Sequence, residues 1–516
     1  MINKETCFMK TKRFCDIRTE CSAETSLPDY NTDVRKILHV SAKPHPISSF
    51  ASGEGIECSG EVTFDVVYLD FEGVVCSASF SGDYSFKVKC DTQSYKDSLV
   101  ETSLGNLSLR LMSPRKIAAR ATLDSSVTVI TEETFTTDGD ALDPDLNPQL
   151  EPLTISSGLT TVTPPSEREY GCSLARFDGK TTDEVHLIHL SVKPIVERLE
   201  LTDGEIEVIG RIETTSLIRT DECPLYKLEK SFEMSGRIPA DAAYSDGEYR
   251  AVVEVVSASV ATGGDEGGVE MTLSVITETR VVCEKNVNAD LIADMYLCDR
   301  PCDCTRQSFG YDEYLGRHSS EKEINNKISL ASIGAGKLRE VIFADVTAAV
   351  DAVEVLESEA VIKGEIKVSA IATEMKDDGG VEFVPIKFSS EFKENVNCDC
   401  HIDDKTAIFP SIFLSDESVM VDSENVYLKA NATLEISLSK HREAEALSCA
   451  RVSSSEAYTK NPARISVYYP EEGDTLYAVA KAYHTTKEKL LSDNSALAEV
   501  VAKDGKISSV KRLIIT

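Results

Sequence analysis

The sequence lacks any uncharged apolar run close to the roughly 20 residues that a membrane-spanning helix needs. Its apolar stretch 341–356 is interrupted by Asp345, Asp351 and Glu354. Residues 1–7 contain no apolar core that could serve as a signal peptide. We therefore expect no transmembrane segment, and a cytoplasmic protein that stays in the compartment where it is made.

Basic residues are scarce. Lys and Arg number 54 against 87 Asp and Glu, for a formal net charge of −33. A negative field of this size repels phosphate backbones and anionic lipid surfaces, which disfavours nucleic acids and membrane surfaces as partners. The charge either complements a basic partner surface or serves only solubility. Hydrophobic residues make up 41% of the chain, which is too many for a disordered protein.

Recognisable catalytic and metal-binding motifs are also missing. There is no GxSxG motif, and segment 334–337 lacks the first glycine and the closing Ser or Thr of a phosphate loop. Two Cys-x-Cys pairs, Cys302 with Cys304 and Cys398 with Cys400, lie about a hundred residues apart. Structural zinc sites instead combine closely spaced pairs. We expect no enzymatic activity, no cofactor and no metal site.

The 15 cysteines show no regular spacing, and their number is odd. Both features argue against a disulfide framework in a chain of this size. Because cytosolic thiols rarely form structural disulfides, we expect reduced cysteines, most of them acting as small buried hydrophobes.

The composition changes near Pro462. Residues 463–516 carry eight basic and seven acidic side chains, so the strong negative charge belongs to the residues before them. The last cysteine, Cys449, also lies before this point. These coinciding changes predict a separate domain over 463–516, joined by a polar linker over 453–462.

Before this boundary a weak pattern recurs with a long period. Gly60, Gly210 and Gly364 lie in similar apolar contexts 150 and 154 residues apart. Each is preceded by an apolar segment, at 37–40, 187–190 and 341–344 respectively. We therefore expect three degenerate repeats over 34–180, 181–330 and 331–452, the first two including a linker, after a loosely packed leader over 1–33.

Within the repeats, apolar residues alternate with polar ones in short runs separated by Gly- and Asp-rich turns, as at 70–73 and 263–268. Alternation with a period of two predicts half-buried strands. The expected fold is mainly β, with three antiparallel β-sandwich or barrel-like repeats. The polar segments 131–176 and 299–327 are expected to be loops or linkers. A glycine inside a strand marks a bulge or a close backbone approach, so the three glycines suggest one shared kink.

Three segments of the first repeat match a known family: Leu27-Pro28-Asp29 through Asp33-Val34-Arg35-Lys36-Ile37-Leu38, then Gly60-Glu61-Val62, then Ser113-Pro114-Arg115-Lys116-Ile117. They resemble the SPOCS domain of bacterial spore-coat proteins. The later repeats lack the Pro-Asp and Pro-Arg-Lys segments and are assigned through the internal repetition.

The C-terminal 54 residues give a sharper pattern. A short strand at 465–469 precedes Gly473-Asp474-Thr475-Leu476, and apolar residues then follow at helical spacing through Tyr483. Asp474 or Thr475 is a natural N-cap. Thr485 followed by Glu488 has capping-box spacing and predicts a second helix. The chain then ends on an apolar strand at 513–515.

This βααβ order with its Gly-Asp-Thr-Leu motif resembles a LysM module. The resemblance implies a shallow groove that binds N-acetylglucosamine-containing glycans, formed here by Gly473, Asp474, Thr475, Leu476 and Asn494. The family's closing segment carries two prolines and a glycine, which are replaced in this chain. The replacements stand at Ser509, Val510 and Thr516.

SPOCS-like repeats followed by a LysM module resemble the spore-coat morphogenetic proteins of the clostridial SipL type. That resemblance implies a non-enzymatic scaffold in the mother-cell cytoplasm, at the forespore surface. The implied partner is a basement-layer spore-coat ATPase of the SpoIVA type. The alternative is a protein that binds peptidoglycan or lipid-linked glycan precursors. A cell-wall hydrolase is disfavoured, since neither an export signal nor a catalytic domain is visible.

Overall fold

The computed structural model describes residues 2–202, 204–240, 246–265, 267–356, 358–376, 380–453, 457–458, 465–495, 507 and 510–516. Across these residues the chain is mainly β-structure, as the alternating pattern predicts. The strands form several separate sheets, and none of those seen in the described residues closes on itself.

In the described part of the chain, twenty strands precede the C-terminal module. The first seven are β1 (Ile2–Ser26), β2 (Val34–Pro44), β3 (Ser48–Ser52), β4 (Gly55–Asp70), β5 (Val75–Val88), β6 (Tyr95–Ser113) and β7 (Lys116–Gly139). The next seven are β8 (Gln149–Val162), β9 (Ser166–Asp178), β10 (Val185–Thr202), β11 (Glu205–Thr220), β12 (Tyr226–Pro239), β13 (Glu248–Asp265) and β14 (Gly268–Tyr296). The last six are β15 (Cys302–Ser329), β16 (Leu338–Leu356), β17 (Glu359–Met375), β18 (Val381–Asn397), β19 (Thr406–Val421) and β20 (Asn425–Val452).

Three small antiparallel sheets follow one another along the chain. They are β2-β4-β3 with β5 also on β4, then β10-β11-β12, then β16-β17-β18. In β11, Ile206, Val208, Gly210 and Ile212 are buried, while the residues that alternate with them are only partly so. This alternation places one face of the strand in the core, which is why the sequence specifies the strand and its register.

Three long hairpins form the other layer: β6-β7, β13-β14 and β19-β20. Each is flanked by strands from earlier in the chain: β1 pairs with β7, β8 and β9 pair with β14, and β15 pairs with β20. A bridge between Asp138 and Cys449 joins β7 to β20. Core residues lie between the layers, as where Ile362 and Ile366 of β17 share a buried cluster with Leu434 and Ile436 of β20.

The flanking strands correct two sequence-based expectations. The leader expected over 1–33 is not loosely packed, because Ile2–Ser26 pairs with β7 along nearly its whole length. The segments 131–176 and 299–327, expected as loops, lie largely in strands β7, β8, β9 and β15. Strand pairing also crosses the expected boundary between the first two repeats. β8 and β9 lie within 34–180, but they pair with β14, which lies within 181–330.

The physical reason is that these are edge strands held mainly by main-chain hydrogen bonds. In β1 the buried apolar side chains among the described residues are those of Phe8 and Cys21. The side chains of Lys10 and Glu20 instead form ion pairs with Glu133 and Arg120 of β7. Such a polar segment carries little local strand signal, since β-propensity mostly reflects packing against neighbours.

The three small sheets meet at a junction of aromatic rings from β2, β10 and β16. The rings of His39, His189 and Phe343 lie with their centroids 5.0–5.4 Å apart. Each of these residues directly follows a register shift in its strand, so all three occupy corresponding positions. Both imidazoles are buried, with exposures of 1% and 4%. His39 Nδ1 lies 3.1 Å from Ser369 Oγ, whereas His39 Nε2 and His189 Nδ1 have no hydrogen-bond partner in the described residues.

The recurring glycines lie where neighbouring strands approach closely. A Cβ on Gly210 or Gly364 would overlap the backbone oxygen of Ile195 or Ala349, and the partner strand shifts register opposite each glycine. A Cβ on Gly60 would instead meet the Tyr84 ring at 2.8 Å. The sequence-based expectation of a bulge or close approach therefore fits Gly210 and Gly364, and the contact at Gly60 is with a side chain.

We expect Gly210→Ala and Gly364→Ala to lower the free energy of unfolding by about 2 kcal/mol, because the added methyl group must displace backbone. Gly60→Ala should have a smaller effect, since the Tyr84 ring can move. The control is Gly263→Ala on β13, where a Cβ meets no atom within 4 Å. Urea unfolding measures the series, and equal stability of all four variants would contradict the close-approach role.

The histidine junction predicts acid sensitivity. Burial, reinforced by His189, Lys387 and Lys43, holds the pKa of His39 well below its ordinary value. Burial and Lys43 lower the pKa of His189 to about 4, against the opposing charge of Asp65. The neutral imidazoles therefore contribute stability that is complete above about pH 6.5 and is lost as the pH falls toward 4.

We expect each histidine to remove about 1 kcal/mol of stability between pH about 7.5 and pH about 5.5. The double variant His39→Phe/His189→Phe copies Phe343 at both corresponding positions and should lose much less stability over that range. Urea unfolding at the two pH values compares the proteins. The same pH dependence in wild type and double variant would refute the role of the junction.

Candidate functional site

The C-terminal module comprises the described residues from 465 to 516. Its elements are β21 (Ser466–Tyr468), α1 (Leu476–Ala482), α2 (Lys487–Asp493) and β22 (Leu513–Ile515). They follow the chain in the predicted order, and β21 pairs antiparallel with β22. The expected linker 453–462 lies largely outside the described residues, as do Ser509 and most of the connection between α2 and β22.

Threonine side chains begin both helices. Thr475 Oγ1 accepts a hydrogen bond from the Ala478 N–H at 3.0 Å, so Thr475 is the N-cap of α1. Thr486 caps α2 in the same way, accepting from the Lys489 N–H at 3.1 Å. The sequence pattern predicted the cap of α2 at Thr485. The structure places it one residue later, at Thr486. Each cap satisfies an N–H group that the first helical turn leaves free.

Gly473 and Asp474 shape the loop before α1. Gly473 has φ +96°, a left-handed conformation that favours glycine, and a Cβ there would meet no atom within 4 Å. Asp474 Oδ2 accepts hydrogen bonds from the Tyr468 hydroxyl at 2.6 Å and from the Glu471 N–H at 2.7 Å. The bond from Tyr468 lowers the pKa of Asp474 and raises that of Tyr468 to about 12. Asp474 therefore joins this loop to β21 as an ionised carboxylate.

Asn494 connects α2 to the last strand. Its Nδ2 donates to the Leu490 carbonyl at 2.9 Å and to the Ile514 carbonyl at 2.6 Å, while its Oδ1 accepts from the Ile514 N–H at 2.7 Å. Leu476 is buried in the module core with Val479 and Leu513. Asn494 and Leu476 therefore stabilise the module itself.

The five predicted groove residues thus lie at two places, four at the start of α1 and Asn494 at the end of α2. Asp474, Thr475 and Asn494 all direct polar side-chain atoms to partners inside the module. Of the replaced closing residues, Thr516 donates its hydroxyl to Asp493 at 2.6 Å. A glycan bound here would compete with these internal hydrogen bonds, although the second carboxylate oxygen of Asp474 has no hydrogen bond in the described residues.

The module also contacts the end of the β13-β14 sheet, which sequence reasoning missed. The Tyr296 hydroxyl donates to the Thr485 carbonyl at 2.7 Å, and its ring lies 5.3 Å from that of Tyr477. Lys481 Nζ lies 2.5 Å from Asp294 Oδ2. Burial alone would raise the pKa of Asp294, but the hydrogen bond from Lys481 lowers it below its ordinary value. These pairs are almost 190 residues apart, so no local pattern signals them.

The opposite side of the module presents an apolar strip, which the local alternation could have indicated. Val467 on β21 pairs with Ile514 on β22, and the side chains of Ile465 and Tyr469 flank Val467 along the chain. The exposed fraction is 49% for Val467 and 38% for Ile514, and it is 62% for Ile465 and 68% for Tyr469. These four residues form the outer strip. Contiguous exposed apolar side chains of this kind mark contact surfaces in soluble proteins.

The cysteine pairs and possible metal ligands were the other candidate sites. Cys302 and Cys304, at the start of β15, lie with their sulfur atoms 4.0 Å apart. Within the described residues no cluster of three or more His, Cys, Asp or Glu side chains has the geometry for a metal ion. No helix in that part of the chain is both long and apolar enough to cross a bilayer.

Comparison with known proteins gives little further information. No protein-family model matches the chain, and no curated protein matches it. Among solved structures, a crystal structure of lipopolysaccharide binding protein aligns with 8% sequence identity, covering 51% of this chain and 91% of that chain. Its TM-score is 0.08, which carries no argument about fold or function.

We expect Asn494→Ala to lower the stability of the module by about 1–3 kcal/mol, because it leaves the Ile514 N–H and two carbonyl groups without their partner. Hydrogen exchange of the α2 and β22 amides in the full chain measures the effect. Ser492→Ala, which removes one exposed hydrogen bond to the Lys489 carbonyl, is the control. Unchanged exchange in Asn494→Ala would show that the side chain does not hold α2 to β22.

Proposed function

We propose that this chain is a non-enzymatic scaffold of spore-coat assembly, acting in the mother-cell cytoplasm at the forespore surface. Its C-terminal module recruits or anchors a coat protein, and its β-sheet body provides the rigid support. The observation that carries the proposal is the outer strip, an exposed apolar surface on a module whose other side packs against the body.

The body consists of three SPOCS-like repeats in this proposal. Its support is the correspondence of His39, His189 and Phe343, each placed directly after a register shift in the first strand of a small sheet. The three hairpins with their flanking strands repeat the same order. A body built from three such units, with long ladders between distant segments, suits a supporting role.

The module is LysM-like in this proposal, on the support of its βααβ order and its capped helices. A protein contact suits it better than a glycan, because Asp474 and Asn494 already make hydrogen bonds inside the module. Apolar side chains such as Tyr469 also supply the central anchors that protein interfaces use. The expected partner, from the family resemblance, is a basement-layer coat ATPase of the SpoIVA type.

Binding of a peptidoglycan or lipid-linked precursor is the second candidate. It is favoured by the open space around Gly473, where a Cβ would meet no atom within 4 Å, and by the ionised Asp474 beside it. A sugar could approach this loop without first displacing a side chain.

The test is binding of the purified full chain to the SpoIVA-like protein of the same organism, measured by biolayer interferometry. We expect Val467→Glu/Ile514→Glu to weaken binding at least about tenfold, since it places two charges in the outer strip. Leu201→Glu, at a half-exposed position on β10, is the matched control and should bind as wild type does.

Equal binding by wild type and the double variant would remove the outer strip from the interface. A parallel titration with chitin oligomers decides between the candidates. Micromolar binding that is lost in Asp474→Ala would favour the glycan-precursor function, provided that melting shows the variant to be folded.

A further inference from the structure

A cavity of about 220 Å³ lies in the body, and its lining residues all precede the C-terminal module. Its walls come from β1, β8, β15 and the β19-β20 hairpin, with Glu284 of β14 also at its lining. It is therefore built from segments that are distant in sequence. Its volume is below the roughly 300–1,000 Å³ of drug-sized sites, so an occupant would be a compact molecule.

Close packing of β8 against β15 forms one wall. A Cβ on Gly158 of β8 would lie 3.1 Å from the Asp312 carbonyl oxygen and 3.2 Å from the Tyr314 nitrogen. Glycine thus permits these strands to approach at the cavity. On the other side the Arg13 guanidinium lies over the Phe409 ring, 4.4 Å from its centroid. Both walls are consequently held in place without an occupant.

The charges behind the cavity balance one another. Glu284 forms ion pairs with both Arg13 and Arg317, and its side chain is 3% exposed. The neighbouring Arg250 pairs with Glu101. Because these carboxylates are already paired with guanidinium groups, they leave little negative charge to act on an occupant.

The mouth of the cavity carries positive charge that has no such partner. Lys12 and Lys405 both line it, but the Lys12 ammonium lies over the Phe14 ring, 4.9 Å from its centroid. The Lys405 ammonium forms no ion pair with a carboxylate of the described residues. Asp312, which also lines the cavity, is engaged by His441 Nδ1 at 2.9 Å. Thr11 Oγ1 is buried at the lining and has no hydrogen-bond partner there. The Lys405 ammonium and an unpartnered hydroxyl therefore line one concave place on a chain whose net charge is −33.

We propose that this cavity binds a compact small molecule bearing an oxyanion, a phosphate or carboxylate group, held at Lys405. A concave site focuses the field of its charges, so an ammonium group acts there more strongly than on an open acidic surface. The Thr11 hydroxyl and the remaining N–H groups of Arg13 supply hydrogen bonds, which are stronger to a charged acceptor. The site is independent of the scaffold function proposed above.

Isothermal titration of the full chain with inorganic phosphate, and separately with citrate, tests the proposal at matched ionic strength. We expect at least one of the two probes to bind with a Kd of about 1 mM or tighter, and the pair of results to distinguish phosphate from carboxylate recognition. Lys405→Glu should raise that Kd about tenfold or more.

Two further variants separate a site from a general charge effect. Ala407→Phe, at the cavity lining, keeps every charge but fills the space, so it should also abolish binding. Lys4→Glu, on exposed β1 and outside the cavity, makes the same change of charge and should leave the Kd unchanged. The proposal is overturned if neither probe binds wild type, if Lys4→Glu weakens binding as much as Lys405→Glu, or if Ala407→Phe, shown to be folded by its melting, binds normally.

Discussion

Antiparallel main-chain pairing between distant segments is the interaction on which the rest of this structure depends. Strands β1, β8, β9 and β15 lie far in sequence from the hairpins that they flank. Several of their side chains are polar and half exposed, so their apolar burial is small. Main-chain hydrogen bonds hold these flanking strands in place, because each hairpin strand must pair the N–H and C=O groups along its edge. That pairing brings the ends of the chain and its middle into one body.

The placement of the module follows from the same ladders. β14 continues past its partner β13 and pairs with β8 as far as Tyr296, the residue on which the module packs. Lys487 adds an ion pair to Glu151 of β8. The module is thus supported on a paired sheet end, and its outer strip faces away from the body. A contact surface held in this way loses little conformational entropy when a partner binds.

Two places in the body lie where strands from distant parts of the chain meet. One is the junction of His39, His189 and Phe343, and the other is the cavity near Arg13. In the junction the three rings are neutral and aromatic, so packing dominates their contacts. Near the cavity Glu284 is paired with Arg13 and Arg317, and Lys405 is left without an ion pair in the described residues. The two environments therefore differ according to which side chains the meeting strands bring together.

The sequence by itself determined the β class, because alternation in segments such as Glu205–Thr220 fixes which face is buried. It also determined the two C-terminal helices, since a Thr at each start and apolar residues at helical spacing are local signals. Only the tertiary structure showed that the segments expected as a leader and linkers are strands. It alone also showed the contact between Tyr296 and the module, and the hydrogen-bond partners of Asp474 and Asn494 inside the module. The physical reason is that each of these depends on hydrogen bonds or packing with residues from other elements. Local periodicity records which face of an element is apolar, but it does not record what that face or that edge will meet.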